Sequence, residues 1–235
     1  MALTVIKNWD NKTWLSSKDY IKSFNRFLTK KTKLNSKSKI LDIGCGRGKI
    51  LGTLSLKLKL KDKPLGIDII SHKDKDKRIK FKKINVSKFF SKNKSKFDLI
   101  LIKQSIHLLN LKEIKRILIL SKKSLKQDGK ILIFTLDTNK NELPTFKLMK
   151  IKLTKSLTKD KKILNLIAKL YPYKKSKFIY KVNINKKKYL EMIERRYIST
   201  LLSLTKKELQ IGINEINFKY KKNIKFSDKL ICITL

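Results

Sequence analysis

Ile40-Leu41-Asp42-Ile43-Gly44-Cys45-Gly46-Arg47-Gly48-Lys49 is the stretch on which the reading of the whole chain turns. A short apolar, β-leaning run at 39–43 stops at a glycine, and a helix is expected over 49–60. Three glycines at spacing two and two therefore fall between a strand and a helix. Glycine reaches backbone angles of positive φ and lets a ligand approach the main chain. A helix starting just beyond presents free N–H groups. Together these are the physical means of holding a nucleotide-like ligand at the carboxyl edge of a sheet. Two acids accompany the loop. Asp42 precedes the first glycine by two residues, and Asp68 ends the next expected strand in Gly66-Ile67-Asp68, 24 residues after Gly44. A carboxylate at that place can accept both hydroxyls of a ribose.

Outward from this core the chain alternates. Residues 64–70 and 79–86 are strand-like, and 97–102 reads as a buried strand with five of its six residues apolar. An amphipathic helix is expected over 113–125, a turn at Asp128-Gly129 and a strand over 130–136. Upstream, Ser16 or Ser17 can cap a helix running to Lys31, with Tyr20, Phe24, Phe27 and Leu28 at helical spacing. Strand and helix in alternation argue for a parallel sheet covered by helices. After Asn139 the pattern changes. Residues 146–170 have a helical period, 177–184 alternate with Phe178, Tyr180, Val182 and Ile184 on one face, and 186–203 read as helix. A helix over 205–216 opens with Thr205 and Glu208 at capping-box spacing. Ile224 to Phe226, a turn at Ser227-Asp228 and a strand over 230–235 close the chain.

The chain has 235 residues, a length for one domain with a sizeable insertion. At 41% hydrophobic it can pack a core, despite 60 basic against 18 acidic residues and a net charge of +42. Cys45 and Cys232 are the only cysteines and His72 and His107 the only histidines. That excludes a disulfide framework, a four-cysteine zinc site and a His-rich metal centre, and no metal is expected. No apolar run is long enough for a transmembrane helix, and Asp10, Trp14 and scattered lysines stand where a signal peptide would need an apolar stretch. A soluble cytoplasmic protein is the expectation. The basic residues are 54 Lys and only 6 Arg, spread along the whole chain, beside 31 Ile, 15 Asn, 2 Ala and 3 Pro. That joint bias is what an AT-rich coding sequence gives. The surface should still attract polyanions at low salt, so nucleic acid stays a possible partner. The oligomeric state is left open.

Read in order, Asp42-x-Gly44-Cys45-Gly46-x-Gly48, then Gly66-Ile67-Asp68, then Phe97-Asp98-Leu99-Ile100-Leu101, then Leu125-Lys126-Gln127-Asp128-Gly129-Lys130 before a strand closely resemble the class I S-adenosylmethionine-dependent methyltransferases. The resemblance covers about residues 38–136 and points to the small-molecule type. A nicotinamide-binding Rossmann protein would more often lack the preceding Asp and the inserted Cys. The fold the resemblance implies is α/β: a Rossmann-like, seven-stranded, mostly parallel sheet with helices on both faces and a helical lid insertion. The implied division is 1–36 as a helical cover, 37–136 as the cofactor-binding core, 137–203 as the lid and 204–235 completing the sheet.

The same resemblance implies S-adenosyl-L-methionine as cofactor and assigns residues to it. Gly44, Cys45 and Gly46 would line its methionine part, within a loop that Gly48 completes. Asp42 would orient that loop and reach the ammonium group. Asp68 would take the ribose hydroxyls and Ile69 would pack on the adenine. Asn85 and Val86 would face the adenine edge, Asn85 standing where the family often has an acid. Lys103 and Gln104 follow the fourth strand, where sulfonium and substrate meet.

In such chemistry the sulfonium makes the methyl group electrophilic, and the protein holds both partners and excludes water. No fixed nucleophile is demanded. His107 is a candidate general base, since a histidine titrates near neutral pH; a packing histidine is the competing reading. Gln104 can position a substrate, and Tyr197-Ile198-Ser199 looks like the family's lid. Cys45 is read as a small turn residue and Cys232 as core. Trp9, Trp14 and Tyr20 can cover the site or staple the first helix to the core. Phe146, Met149, Leu170, Tyr171, Tyr173, Tyr180, Met192 and Tyr197 can build an apolar acceptor pocket. The lack of an Asn-Pro-Pro-Tyr motif or a cysteine after the fourth strand argues against adenine-amine and pyrimidine-carbon methylation. The expected function is methyl transfer to a small-molecule acceptor. The alternatives are an RNA methyltransferase, supported by charge alone, and a non-catalytic scaffold with the same fold.

Overall fold

In a computed structural model the chain is described over residues 13–235; Trp9 lies outside the described residues. The elements in order are α1 (Lys18–Lys31), β1 (Ile40–Ile43), α2 (Lys49–Leu58), β2 (Leu65–Asp68), β3 (Lys80–Lys83), α3 (Val86–Lys92), β4 (Phe97–Lys103), α4 (Leu111–Lys123), β5 (Leu125–Leu136), α5 (Lys147–Leu170), β6 (Lys174–Asn185), α6 (Lys186–Glu194), α7 (Lys206–Lys219) and β7 (Asn223–Thr234). Among the described residues, seven strands form one sheet in the order β3-β2-β1-β4-β5-β7-β6. The first five run parallel and β7 alone is reversed. This is the expected α/β architecture. The order turns outward in both directions from the β1–β4 pair, the place where open α/β sheets bind ligands.

Period-two alternation builds two cores, one on each face of the sheet. Leu99 and Leu101 of β4, Leu132 and Phe134 of β5, and Leu230 and Cys232 of β7 face α1, α2 and α7. Ile100 and Ile102, Ile131 and Ile133, and Ile231 and Ile233 face α3, α4 and the second half of α5. Cys232 is thus a core residue. Ser17 caps α1 through its hydroxyl, and both Asn110 before α4 and Thr205 before α7 form capping boxes. No helix among the described residues is long and apolar enough to cross a membrane.

Three details differ from the sequence reading. The turn at Ser227-Asp228 does not form. β7 runs unbroken, with Ser227 opposite Lys181 and Asp228 opposite Tyr180, because β6 offers a twelve-residue antiparallel ladder. The helix expected over 186–203 stops at Glu194. Arg196 takes a left-handed conformation (φ 54°), and Tyr197 N–H and Arg196 N–H bond back to the carbonyls of Met192 (3.1 Å) and Ile193 (2.9 Å). That is the Schellman way of ending a helix, here without glycine. The segment 137–203, expected as a lid, divides. α5 lies across the sheet and β6 is its edge strand, so these belong to the layers of the fold. What remains of a cover is the loop 137–146 and the stretch 195–204.

Candidate functional site

The chain turns sharply at the top of β1. The N–H groups of Gly44 and Cys45 both donate to the carbonyl of Ile67, at 2.9 and 3.1 Å, which ties the loop to β2. Gly44 has φ +74°, and a Cβ there would lie 2.5 Å from Cβ of Ser105. Ser105 in turn donates to the Ile43 carbonyl (2.9 Å), so the exits of β1 and β4 are fastened together. Gly46 is different. Its φ is +54° and a Cβ there would meet nothing within 4 Å, so the space beside this loop is open.

The second motif closes on the first. The Asp68 carboxylate accepts the Gly46 N–H at Oδ2 and the Ile70 N–H at Oδ1, both at 2.9 Å. Each oxygen keeps accepting capacity beyond its single backbone bond. Arg47 is buried and braces the loop that follows β2. Its Nε donates to both Asp74 oxygens (2.9 and 2.8 Å), and its carbonyl accepts the Asp76 N–H at 2.9 Å.

A cavity of about 380 Å³ opens here, over the carboxyl ends of β1, β2, β4 and β5. That lies in the size range of small-molecule sites. The residues assigned above to the cofactor and to catalysis all line it: Asp42, Gly44, Cys45, Gly46, Gly48, Asp68, Ile69, Asn85, Val86, Lys103, Gln104, His107 and Tyr197. Ile69 presents an apolar side chain that is 52% exposed in the absence of a ligand. Asn85 Oδ1 accepts the Ser87 N–H (2.8 Å) and caps α3, which orients the side chain and leaves the oxygen a second lone pair. The Cys45 thiol is pushed up by burial and by Asp42 and Asp68, which keeps it a neutral turn residue.

Electrostatics separate the polar residues further. Burial raises the Asp42 carboxyl to about 7, with Lys103 opposing and Asp68 adding to the rise. Lys103 donates to Gln104 Oε1 (2.8 Å) and stands 5.4 Å from the ring centres of Tyr20 and Phe24. Gln104 itself has φ +52°, a strained conformation for a residue with a side chain, at the exit of β4. Tyr20 is fully buried in the core below, while Trp14 lines the cavity, so the two aromatics of the cover divide between the two expected places.

The surroundings of two catalytic candidates set what each could do. Burial, with Lys159 nearby, lowers the His107 imidazole to about 4, which makes it a poor proton acceptor near neutral pH. Tyr189 donates to the Pro144 carbonyl (2.6 Å), so the 2.8 Å contact between Tyr189 and Tyr197 is donated by Tyr197. The Tyr197 hydroxyl is thereby committed, burial pushes its pKa up, and it offers the cavity a ring rather than a proton.

The acceptor pocket expected from eight residues is also corrected. Only Tyr197 of them lines the cavity. Phe146, Met149 and Met192 are core, and Phe146 fills the space beside Gly212. The walls instead come from Trp14, Leu143, Leu153 and Ile198. Two acids were not foreseen. Asp228 lies in mid-strand, buried, and accepts from Trp14 Nε1 (3.1 Å). Asp160 lies on α5 between buried Leu153 and Ile163, and that charge inside an apolar helical stripe was the available signal.

No family model and no curated protein matches the sequence. Solved structures do match. A methyltransferase from Geobacter sulfurreducens in complex with S-adenosyl-L-homocysteine is 12% identical with a TM-score of 0.58, covering 100% of this chain and 98% of that one. One from Thiobacillus denitrificans, with the same ligand, is 14% identical with a TM-score of 0.58, covering 100% and 99%. The plantazolicin methyltransferase BpumL is 18% identical with a TM-score of 0.53, covering 98% and 89%. The chain has the fold of the class I S-adenosylmethionine-dependent methyltransferases.

Proposed function

We propose that this chain is a cytoplasmic methyltransferase that uses S-adenosyl-L-methionine and modifies a small-molecule acceptor. The observation that carries the reading is the Asp68 carboxylate held against the Gly46 N–H at the edge of an open cavity. The residues present fit that cofactor. Asp68 retains accepting capacity for ribose hydroxyls, exposed Ile69 and buried Val86 offer apolar surface to an adenine, and the backbone beside Gly46 is free of obstruction. Asp42, with Lys103 as its counter-charge, is the group to meet an ammonium. When bound, the cofactor supplies a methyl group made electrophilic by a sulfonium.

The work of the chain is positional. The glycine loop and Asp68 fix one partner, Lys103 and Gln104 line the space at the exit of β4, and Trp14, Leu143 and Tyr197 keep water out. With its imidazole lowered to about 4, His107 would be a weak base near neutral pH, which favours an acceptor atom that already carries a free lone pair.

The test is incubation with methyl-labelled cofactor and two acceptor pools, small metabolites and total RNA. Label in the small-molecule pool supports the reading. Label in RNA alone replaces it with the RNA reading, and label in neither removes the transferase activity from it.

A further inference from the structure

The chain holds 18 acidic residues against 60 basic ones, yet Asp42, Asp68, Asp160 and Asp228 all line a single cavity. The functional reading above, on which this inference rests, gives Asp42 and Asp68 to the cofactor. Asp228 is engaged by the indole of Trp14. Asp160 is left over. It lies on α5 in a stripe of Met149, Leu153, Ile163 and Ile167, where the helical period calls for an apolar residue. It is only 3% exposed, and its Oδ1 is buried with no hydrogen-bond partner among the described residues. The adjacent cation, Lys159, spends a donor on the His107 carbonyl at 2.6 Å. On the turn Ser199–Leu201, which packs against α5, the Thr200 hydroxyl is likewise buried without a partner and lines the same cavity.

A carboxylate kept buried without a partner destabilises the fold, so a group aimed into a cavity in that state is one a ligand completes. A neutral hydroxyl would leave its charge uncompensated, and an anionic group would bring like charge to it. The cavity that Asp160 lines also has apolar and aromatic walls, with Trp14 and Tyr197 edge to face at 5.4 Å. We infer that Asp160 is the acceptor-recognition group of this site, and that the acceptor carries a protonated amine on an otherwise apolar or aromatic body.

The experiment compares phenethylamine and tryptamine with their alcohol counterparts, 2-phenylethanol and tryptophol. Binding is measured by calorimetry on the full chain, with and without S-adenosyl-L-homocysteine, for wild type, Asp160→Asn and Asp160→Leu. The amines should bind wild type about ten-fold or more tighter than the alcohols, the scale of a charge-assisted hydrogen bond. Both variants should bring amine and alcohol to within about two-fold while their affinity for S-adenosyl-L-homocysteine stays at the wild-type value. No preference for amines in wild type, or a preference that survives both substitutions, overturns the inference. If the preference depends on Asp160 but S-adenosyl-L-homocysteine does not bind, the amine subsite stands and the cofactor reading falls. If S-adenosyl-L-homocysteine binds and amines are not preferred, the reverse holds.

Discussion

The backbone N–H of Gly46 donates to Oδ2 of Asp68 across 2.9 Å, joining residues 22 positions apart. One is the open point of the glycine loop and the other ends β2, so this bond, with those from Gly44 and Cys45 to the Ile67 carbonyl, sets the distance between the two halves of the site. Asp68 also accepts from Ile70 and so braces its own strand exit.

Asp68→Ala removes the acceptor for two backbone donors and for the ribose. Affinity for S-adenosyl-L-methionine should fall by about 1–3 kcal/mol, the scale of leaving buried polar partners unsatisfied. Calorimetry on the variant gives the answer directly, and an unchanged Kd removes the ribose role from this residue.

Cofactor binding should be pH-dependent through Asp42. Burial holds its carboxyl at about 7, against Lys103 and with Asp68, so near neutral pH it is partly protonated in the free protein. An ammonium group brought to it favours the ionised form, and binding should therefore release a proton. Affinity should rise as pH goes from about 6 to 8, and the rise should be absent in Asp42→Asn. Titrations at pH 7 in buffers of different ionisation enthalpy measure the proton directly; zero release by wild type contradicts the pairing.

His107 stays neutral throughout the working range because burial lowers its imidazole to about 4. The rate profile of His107→Asn should therefore keep the wild-type limbs between about pH 6 and 9. Loss of an ionisation near 6–7 in that variant would restore the histidine as base.

Asp160→Leu should stabilise the chain, by about 1–3 kcal/mol, since an unpaired buried carboxylate is exchanged for an apolar side chain in an apolar stripe. Burial raises this carboxyl to about 6, with Lys159 opposing. The folded state thus holds a proton that the unfolded chain releases near 4, and wild-type stability falls as pH rises from about 4 through 6. The gain from leucine should be small at pH 4 and full at pH 7.5. Thermal unfolding of both proteins at the two pH values reads it; a destabilised variant at pH 7.5 would show that Asp160 has a structural partner.

Much of this arrangement was legible in local sequence. Glycines between a strand and a helix, an acid ending the next strand and the capping box at Thr205 all act within a few residues of one another. What escaped is long-range. Ser227-Asp228 has turn chemistry, but Asp228 is satisfied by Trp14, 214 residues away, and its backbone by β6. The aromatic and sulfur residues of 146–192 have the composition of a pocket, yet Phe146, Met149 and Met192 pack in the core and Tyr173 is exposed. Arg196 ends a helix in a conformation usually left to glycine, so the pattern ran on past it.

The most direct test is a titration of S-adenosyl-L-homocysteine into the purified chain at moderate salt, with Gly46→Val alongside. A valine there would project into the open space beside the loop. Saturable low-micromolar binding by wild type, absent in a variant that still unfolds cooperatively on heating, is the result this account requires. No binding to folded wild type, or equal binding by the valine variant, would contradict it.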